Sequence, residues 1–190
     1  MTALLFWLFT AAVFLNYVTV GWSIARPDRR VWPAPGRDSW QFVYNGVVSY
    51  GGLLGVVVLG IVDRNSLGVD HWARFVVGGL LMTCGLFALW GYVTLGAQGS
   101  QGLGEDLVAS GPYRYSRNPQ YVGTVPAVIG YAILCNSTLA LLEAILVSGW
   151  FLLVPFAEES WCRERLASYE DYVQQVPRFL GRRRPPRRAA

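Results

Sequence analysis

Long stretches almost free of charge alternate along this chain with short polar clusters. The apolar stretches cover residues 2–25, 40–62, 72–95, 119 to about 135, and 139–157. About 20 apolar residues in helical form cross roughly 30 Å of hydrocarbon, so the pattern predicts five transmembrane helices. The expected fold is all-α and polytopic. The last two spans are joined so closely through Asn136, Ser137 and Thr138 that they should form a helical hairpin. Gly46, Gly51, Gly52 and Gly55 in the second span are spaced as small residues that let helices approach closely.

The connecting segments refine this picture. Ser23-Ile24-Ala25 loosely resembles a signal-peptidase site, but no basic residue precedes it and the apolar part is too long for a signal sequence. The first span is therefore read as retained. Residues 63–70 form a short polar loop, and residues 96–118 a longer one, glycine-rich and then polar. After the fifth span, residues 160–176 read as an amphipathic helix, with Leu166, Tyr169, Val173 and Val176 near helical spacing. Such a segment lies on a membrane interface or caps a pocket. The whole of 1–180 forms one membrane-embedded domain, with 1–95 supplying three spans and 96–180 the loop, hairpin and tail. Residues 181–190 form an arginine-proline tail expected to be disordered.

Charge then orients the helices. All 16 basic residues are arginine, a bias that suits a GC-rich bacterial source. Fourteen of them fall in the loops after spans one and three and after span five, against Arg64 and Arg74 on the other face. The positive-inside rule puts the N-terminus outside and the C-terminus in the cytoplasm. With 53% hydrophobic residues, the composition excludes an ordinary soluble domain, and no nucleic-acid partner is expected. A single histidine, His71, and three scattered cysteines give no metal-ligand spacing.

Two polar clusters share the cytoplasmic face. One is Ser110 to Gly123, SGPYRYSRNPQYVG, which opens the fourth span. Asn118-Pro119 reads as a helix start, asparagine as N-cap and proline at the first helical position. Such a start leaves backbone N–H groups and a positive dipole end for an anionic group. Tyr113, Tyr115 and Tyr121 suit either a membrane-interface belt or a pocket wall whose faces attract a cation. The other cluster, Glu158-Glu159, follows a span containing Pro155. Adjacent carboxylates at a bilayer boundary need partners, water or a polar ligand. The hairpin brings Asn118 and Glu158 together. Glu143, inside the fifth span, is read as snorkelling to the outer interface. Gly96, Gly99, Gly102 and Gly104 follow no strand, so they make no dinucleotide fingerprint, though they allow close backbone approach to a ligand.

These residues resemble the isoprenylcysteine carboxyl methyltransferase and phospholipid methyltransferase families of integral-membrane enzymes. GPYRYSRNPQYVG is similar to one family motif, and EESWCRER with YEDYVQQVPRFL is similar to the C-terminal one. The resemblance covers roughly 95–180. It implies S-adenosylmethionine as methyl donor at the cytoplasmic face and a lipophilic small molecule or lipid as acceptor, in a bacterial inner membrane. It implies a cofactor pocket of Tyr113, Arg117, Asn118, Pro119, Tyr121, Gly123, Glu158 and Glu159, with Glu159, Tyr121 and Arg178 as candidates for catalysis. The chain departs from the family pattern in three places. Asn118 stands where histidine is usual, so no titrating base is available there. Ala167-Ser168 replace a glycine before the tail's first tyrosine, and Gln174-Gln175 stand where arginine is common. Two other readings remain open: an NADPH-dependent reductase of the sterol type, and a non-enzymatic membrane protein that binds lipid or a partner subunit. The residues do not fix the acceptor or the oligomeric state.

Overall fold

A computed structural model describes residues 1–104 and 106–181 of this protein. Residues 182–190, most of the arginine-proline tail, lie outside the described residues. The described chain is helical, with no strand. Its long helices are α1 (Thr2–Ala25), α2 (Trp40–Val62), α3 (His71–Ser100), α4 (Pro119–Cys135) and α5 (Thr138–Arg165), followed by a short α6 (Tyr169–Gln175). Four of them are long and apolar enough to cross a membrane, and α4 is a shorter apolar helix. This is the all-α, polytopic membrane architecture that the apolar pattern predicts.

Polar side chains on these helices turn inward. Asn16, Thr19 and Ser23 of α1 are buried, while Trp7, Leu8, Phe14 and Val18 of the same helix are exposed. Lipid can accept exposed apolar groups, but it offers polar groups no hydrogen bonds. Asn16 Nδ2 accordingly donates to the Val48 carbonyl of α2 at 2.9 Å, and Thr19 Oγ1 lies 2.9 Å from the Tyr44 hydroxyl. At the end of α1, Ser23 Oγ accepts from the backbone N–H groups of Val31 and Trp32 at 3.1 and 3.0 Å. Asn45 of α2 donates to the Val31 carbonyl at 2.8 Å. The loop between α1 and α2 is thus pinned from both helices, which fixes where Trp32 points.

Helices α1, α2 and α5 pack together, α4 pairs with α5 in the expected hairpin, and α3 packs on α4. Gly52 and Gly55 face Val13 and Phe9 of α1, where a Cβ would come within 2.8 and 2.6 Å, so these glycines allow the predicted close approach. Gly46 instead faces open space. On the other side, Gly123 of α4 sits against the backbone of α3; a Cβ there would lie 2.4 Å from the Ala88 nitrogen. Helix α3 carries a π-helical turn at Arg74–Gly78 and breaks its helical backbone at Gly96 (φ 75°), just after the predicted end of the span.

Two expectations need correction. No separate amphipathic helix begins at Ser160. Helix α5 runs 28 residues, to Arg165, because nothing after Ala157 interrupts it. The break begins at Leu166, whose backbone is extended, and Ser168, in the left-handed region at φ 63°, precedes the short α6. Its apolar face packs Tyr169, Tyr172 and Val176 onto Leu107, Cys162 and Leu166, so it caps the bundle end. Nor does Glu143 snorkel. Its side chain is fully buried between helices and accepts a hydrogen bond from Thr10 Oγ1 of α1 at 2.8 Å.

At the far end of the hairpin, Asn136 closes α4 in the left-handed region and Ser137 caps α5. Asp63, just past α2, clamps this turn: its Oδ2 accepts from Ser66 Oγ, Ser137 Oγ and the Leu139 N–H at 2.7–2.9 Å. Partial burial pushes the Asp63 carboxyl up, but these hydrogen bonds outweigh it and hold it below the usual range. A depressed folded-state pKa gives stability that is intact above the unfolded value near 4 and lost as pH falls through the folded one. Thermal unfolding in detergent across about pH 2–5 is therefore expected to show a steeper acid loss for the unmodified protein than for Asp63→Asn. Identical slopes would remove the clamp from the account.

Candidate functional site

The ends of α4 and α5, the 96–118 loop, α6 and the α1–α2 loop enclose a cavity of roughly 820 Å³, part of it open solvent. Tyr113, Arg117, Asn118, Tyr121, Glu158 and Glu159 all line it, so the hairpin does bring the two polar clusters into one site. Pro119 and Gly123 do not line it. Both sit against α3, where Pro119 is fully buried and meets Gly91. Tyr115 is exposed and also stands apart. Gly99, Gly102 and Gly104 contribute backbone to the wall. At Gly102 (φ 71°) a Cβ would lie 2.7 Å from Pro33, so only glycine lets this loop close on the α1–α2 loop.

The adjacent carboxylates have different surroundings. Glu159 is 2% exposed and meets three arginines. Arg178 forks onto both of its oxygens at 2.7 and 2.8 Å, Arg117 Nη1 lies 2.8 Å from Oε1, and Arg163 Nη2 lies 3.7 Å from Oε2. The Arg178 guanidinium also stacks 3.9 Å over the Phe156 ring. Hydrogen bonding to Glu159 raises the Arg178 pKa above its ordinary value, so this cation stays charged. Glu158 has no arginine. Its Oε1 accepts from the Tyr121 hydroxyl at 2.7 Å and from Trp32 Nε1 at 3.0 Å, while Oε2 has no hydrogen bond among the described residues. One glutamate is occupied in holding the chain together; the other faces the cavity.

The tail is strapped across this end. The Arg117 N–H donates to the Pro177 carbonyl at 3.0 Å, and Asn118 Nδ2 donates to the Arg178 carbonyl at 2.9 Å. Asn118 does occupy the helix-start position, but its side chain holds the tail and does not cap α4. An amide serves that purpose well, since it needs no particular protonation state. Tyr172 donates to the Tyr113 carbonyl at 2.7 Å and so ties α6 to the loop. Burial pushes the Tyr113 phenol up to about 12 and raises those of Tyr169 and Tyr172 as well, so these side chains are neutral donors at physiological pH.

Sequence reasoning missed Trp32. Its partner Glu158 is 126 positions away, and nothing local marks a tryptophan in a Pro-rich loop as part of a site. It also missed a second, largely apolar cleft of roughly 1220 Å³, part of it open to the surroundings, among α2, α3, α4 and α5. Trp32, Ser100, Gln120 and Tyr121 touch both this cleft and the first cavity or its carboxylate.

The shared carboxylate has a measurable consequence. Replacing Glu159 by glutamine leaves three guanidinium groups around a neutral amide, a loss of about 3–5 kcal/mol by the measure of broken buried ion pairs. Arg178→Ala, which leaves two arginines in place, is expected to cost less, about 1–3 kcal/mol. Thermal unfolding of both variants in detergent gives the order, and the reverse order would contradict a shared Glu159.

Comparison with known proteins follows the same residues. A family model, "Phospholipid methyltransferase", matches residues 73–168, half of the chain. The chain is 26% identical over 135 residues to the nickel-cobalt-cadmium resistance protein NccN of Alcaligenes xylosoxydans xylosoxydans, covering 68% of this chain and 62% of that protein. No solved structure matches. The matched segment contains α4, the whole of α5 and the polar cluster between Tyr113 and Gly123, and most of the residues that line the cavity fall within it. On that match, the chain belongs to the phospholipid methyltransferase family of membrane proteins.

Proposed function

We propose that this protein transfers a methyl group from S-adenosylmethionine to a lipophilic acceptor at the cytoplasmic face of a bacterial inner membrane, with the N-terminus outside. The observation that carries the reading is Glu158, a carboxylate held by Tyr121 and Trp32 with one oxygen left facing the cavity. The donor set fits the methyl donor. Glu158 offers an acceptor for an ammonium group, and Arg117 with the start of α4 offers positive charge for a carboxylate. The faces of Tyr113, Tyr121 and Trp161 suit a planar base and a sulfonium cation. When bound, S-adenosylmethionine supplies an activated methyl group. The residues of this chain orient the two reactants and exclude water, which is where displacement at a methyl carbon gains most. Glu159 and Arg178 serve by holding the tail across the cavity. The lipophilic acceptor occupies the apolar cleft and meets the donor near Tyr121 and Gln120.

Among the described residues no group of three or more metal-binding side chains stands together. A reductase remains testable against the same protein. Calorimetric titration of the purified full-length chain is expected to show binding of S-adenosylmethionine and none of NADPH. Glu158→Gln is expected to weaken donor binding about tenfold, or 1.4 kcal/mol. Binding of NADPH without the methyl donor would overturn the assignment.

A further inference from the structure

The polar cavity and the apolar cleft meet at Ser100, Gln120 and Tyr121, which line both. Two of these side chains are fixed on the hairpin. The Tyr121 hydroxyl donates to Glu158 at 2.7 Å, and its ring lies 5.2 Å from that of Phe151. Gln120 stands on the first turn of α4 and its Nε2 donates to the Tyr113 hydroxyl at 3.1 Å. Ser100 is held differently. It follows Gly96, whose backbone (φ 75°, ψ 168°) is open to glycine alone, although a Cβ built there would meet nothing within 4 Å. That glycine therefore serves the turn of the chain and not close packing. Beyond it, the N–H groups of Gln101, Gly102 and Leu103 bond to the carbonyls of Gln98, Gly99 and Gln98 at 3.2, 3.0 and 2.9 Å, so residues 97–103 close on themselves. The segment rests on Pro33 through Gly102. Among the described residues it makes one hydrogen bond to an element other than α3, from Gln120 Nε2 to Ser100 Oγ at 2.8 Å.

From the glycine-only turn at Gly96, the self-contained segment after it and its tether at the boundary of the two spaces, we propose that residues 97–103 form a flap between cavity and cleft, held shut by the Gln120 amide on the Ser100 hydroxyl. A segment with few outside bonds opens at lower cost than the helices around it. A hinge needs only a few residues able to absorb a change in φ and ψ. When the flap swings about Gly96, the boundary loses Ser100 and keeps Gln120 and Tyr121, so cavity and cleft join beside those two side chains. Gln120 is then a positioning residue, which acts through Ser100 and sets how often the two spaces connect. The use of this motion, to bring acceptor and donor into contact, rests on the methyl-transfer reading; the flap itself does not.

The flap is tested without a donor. Full-length protein in lipid nanodiscs is compared with Ser100→Ala, which removes the tether, and with Ser100→Thr, which keeps the hydroxyl. Deuterium exchange read by peptide mass is expected to be about fivefold faster over 97–103 in Ser100→Ala, the equivalent of one hydrogen bond. It is expected to stay unchanged over α4, and everywhere in Ser100→Thr. In a second arm, Thr124→Cys places a thiol in the cleft, and a water-soluble cationic methanethiosulfonate is offered to it. Peptide mass separates its reaction from those of Cys84, Cys135 and Cys162. Adding Ser100→Ala is expected to speed the reaction at position 124 by the same factor of about five. Equal exchange in the unmodified protein and Ser100→Ala overturns the flap, and Ser100→Thr behaving like Ser100→Ala overturns the hydroxyl tether. Faster exchange with an unchanged reaction at position 124 overturns the place of the flap between cavity and cleft. Failure of S-adenosylmethionine to bind, read separately by calorimetry, overturns the methyl-transfer reading and leaves the results of both arms standing.

Discussion

Hydrocarbon forms no hydrogen bonds, so each polar group on a membrane helix has to find its partner inside the bundle. That constraint organises this protein from its first helix onward. It draws Asn16 to the backbone of α2 and Thr19 to Tyr44. It also leaves Ser23 at the end of α1 to hold the two N–H groups of Val31 and Trp32. Trp32 then reaches Glu158, and Glu158 reaches Tyr121. A run of single hydrogen bonds therefore connects the first span to the mouth of the last hairpin. The apolar side chains are not passive in this arrangement. Val13, Val56, Leu59, Val147 and Val154 fill the space between α1, α2 and α5 and keep the polar contacts dry, which strengthens each of them.

The same logic separates the two neighbouring glutamates. A carboxylate at a bilayer boundary is tolerable when its charge is met, and Glu159 is met three times over, by Arg117, Arg163 and Arg178. These arginines come from the loop before α4, from α5 itself and from the tail, so one side chain gathers three separate parts of the chain. Glu158 is stabilised only by neutral donors and keeps an oxygen for the cavity. A carboxylate enclosed by arginines and one open to the cavity thus stand side by side, each defined by what surrounds it.

Much of this was readable in the sequence where the information is one-dimensional. Hydropathy and length located the four long apolar helices and the shorter α4, and the short turn at 136–138 made the hairpin necessary. From the hairpin alone, Asn118 and Glu158 had to meet. What escaped depended on partners distant in sequence. Glu143 looked like a snorkelling acid because its position near the turn is visible, whereas Thr10, across the bundle, is not. The polar residues after Ala157 suggested a new helix, yet they are compatible with helix and simply prolong α5. Asparagine before proline correctly marked a helix start, but the direction of its side chain was decided by the Arg178 carbonyl 60 positions later. Trp32 lies before residue 73, outside the segment that matches the family, so the resemblance offered no hint of it either.

Because Glu158 and Glu159 are consecutive on one helix, they point about 100° apart. That angle alone aims one side chain at the cavity and the other at the arginines. Helix α5 thus works as a key cut to a particular rotation. Removing a single residue upstream would turn both acids together by that same angle, bringing Glu159 to the phase of Glu158 while changing almost nothing in composition or hydropathy. For a designer moving this hairpin onto another scaffold, the quantity to preserve is the helical phase between the hydrophobic seam of α5 and its acidic end.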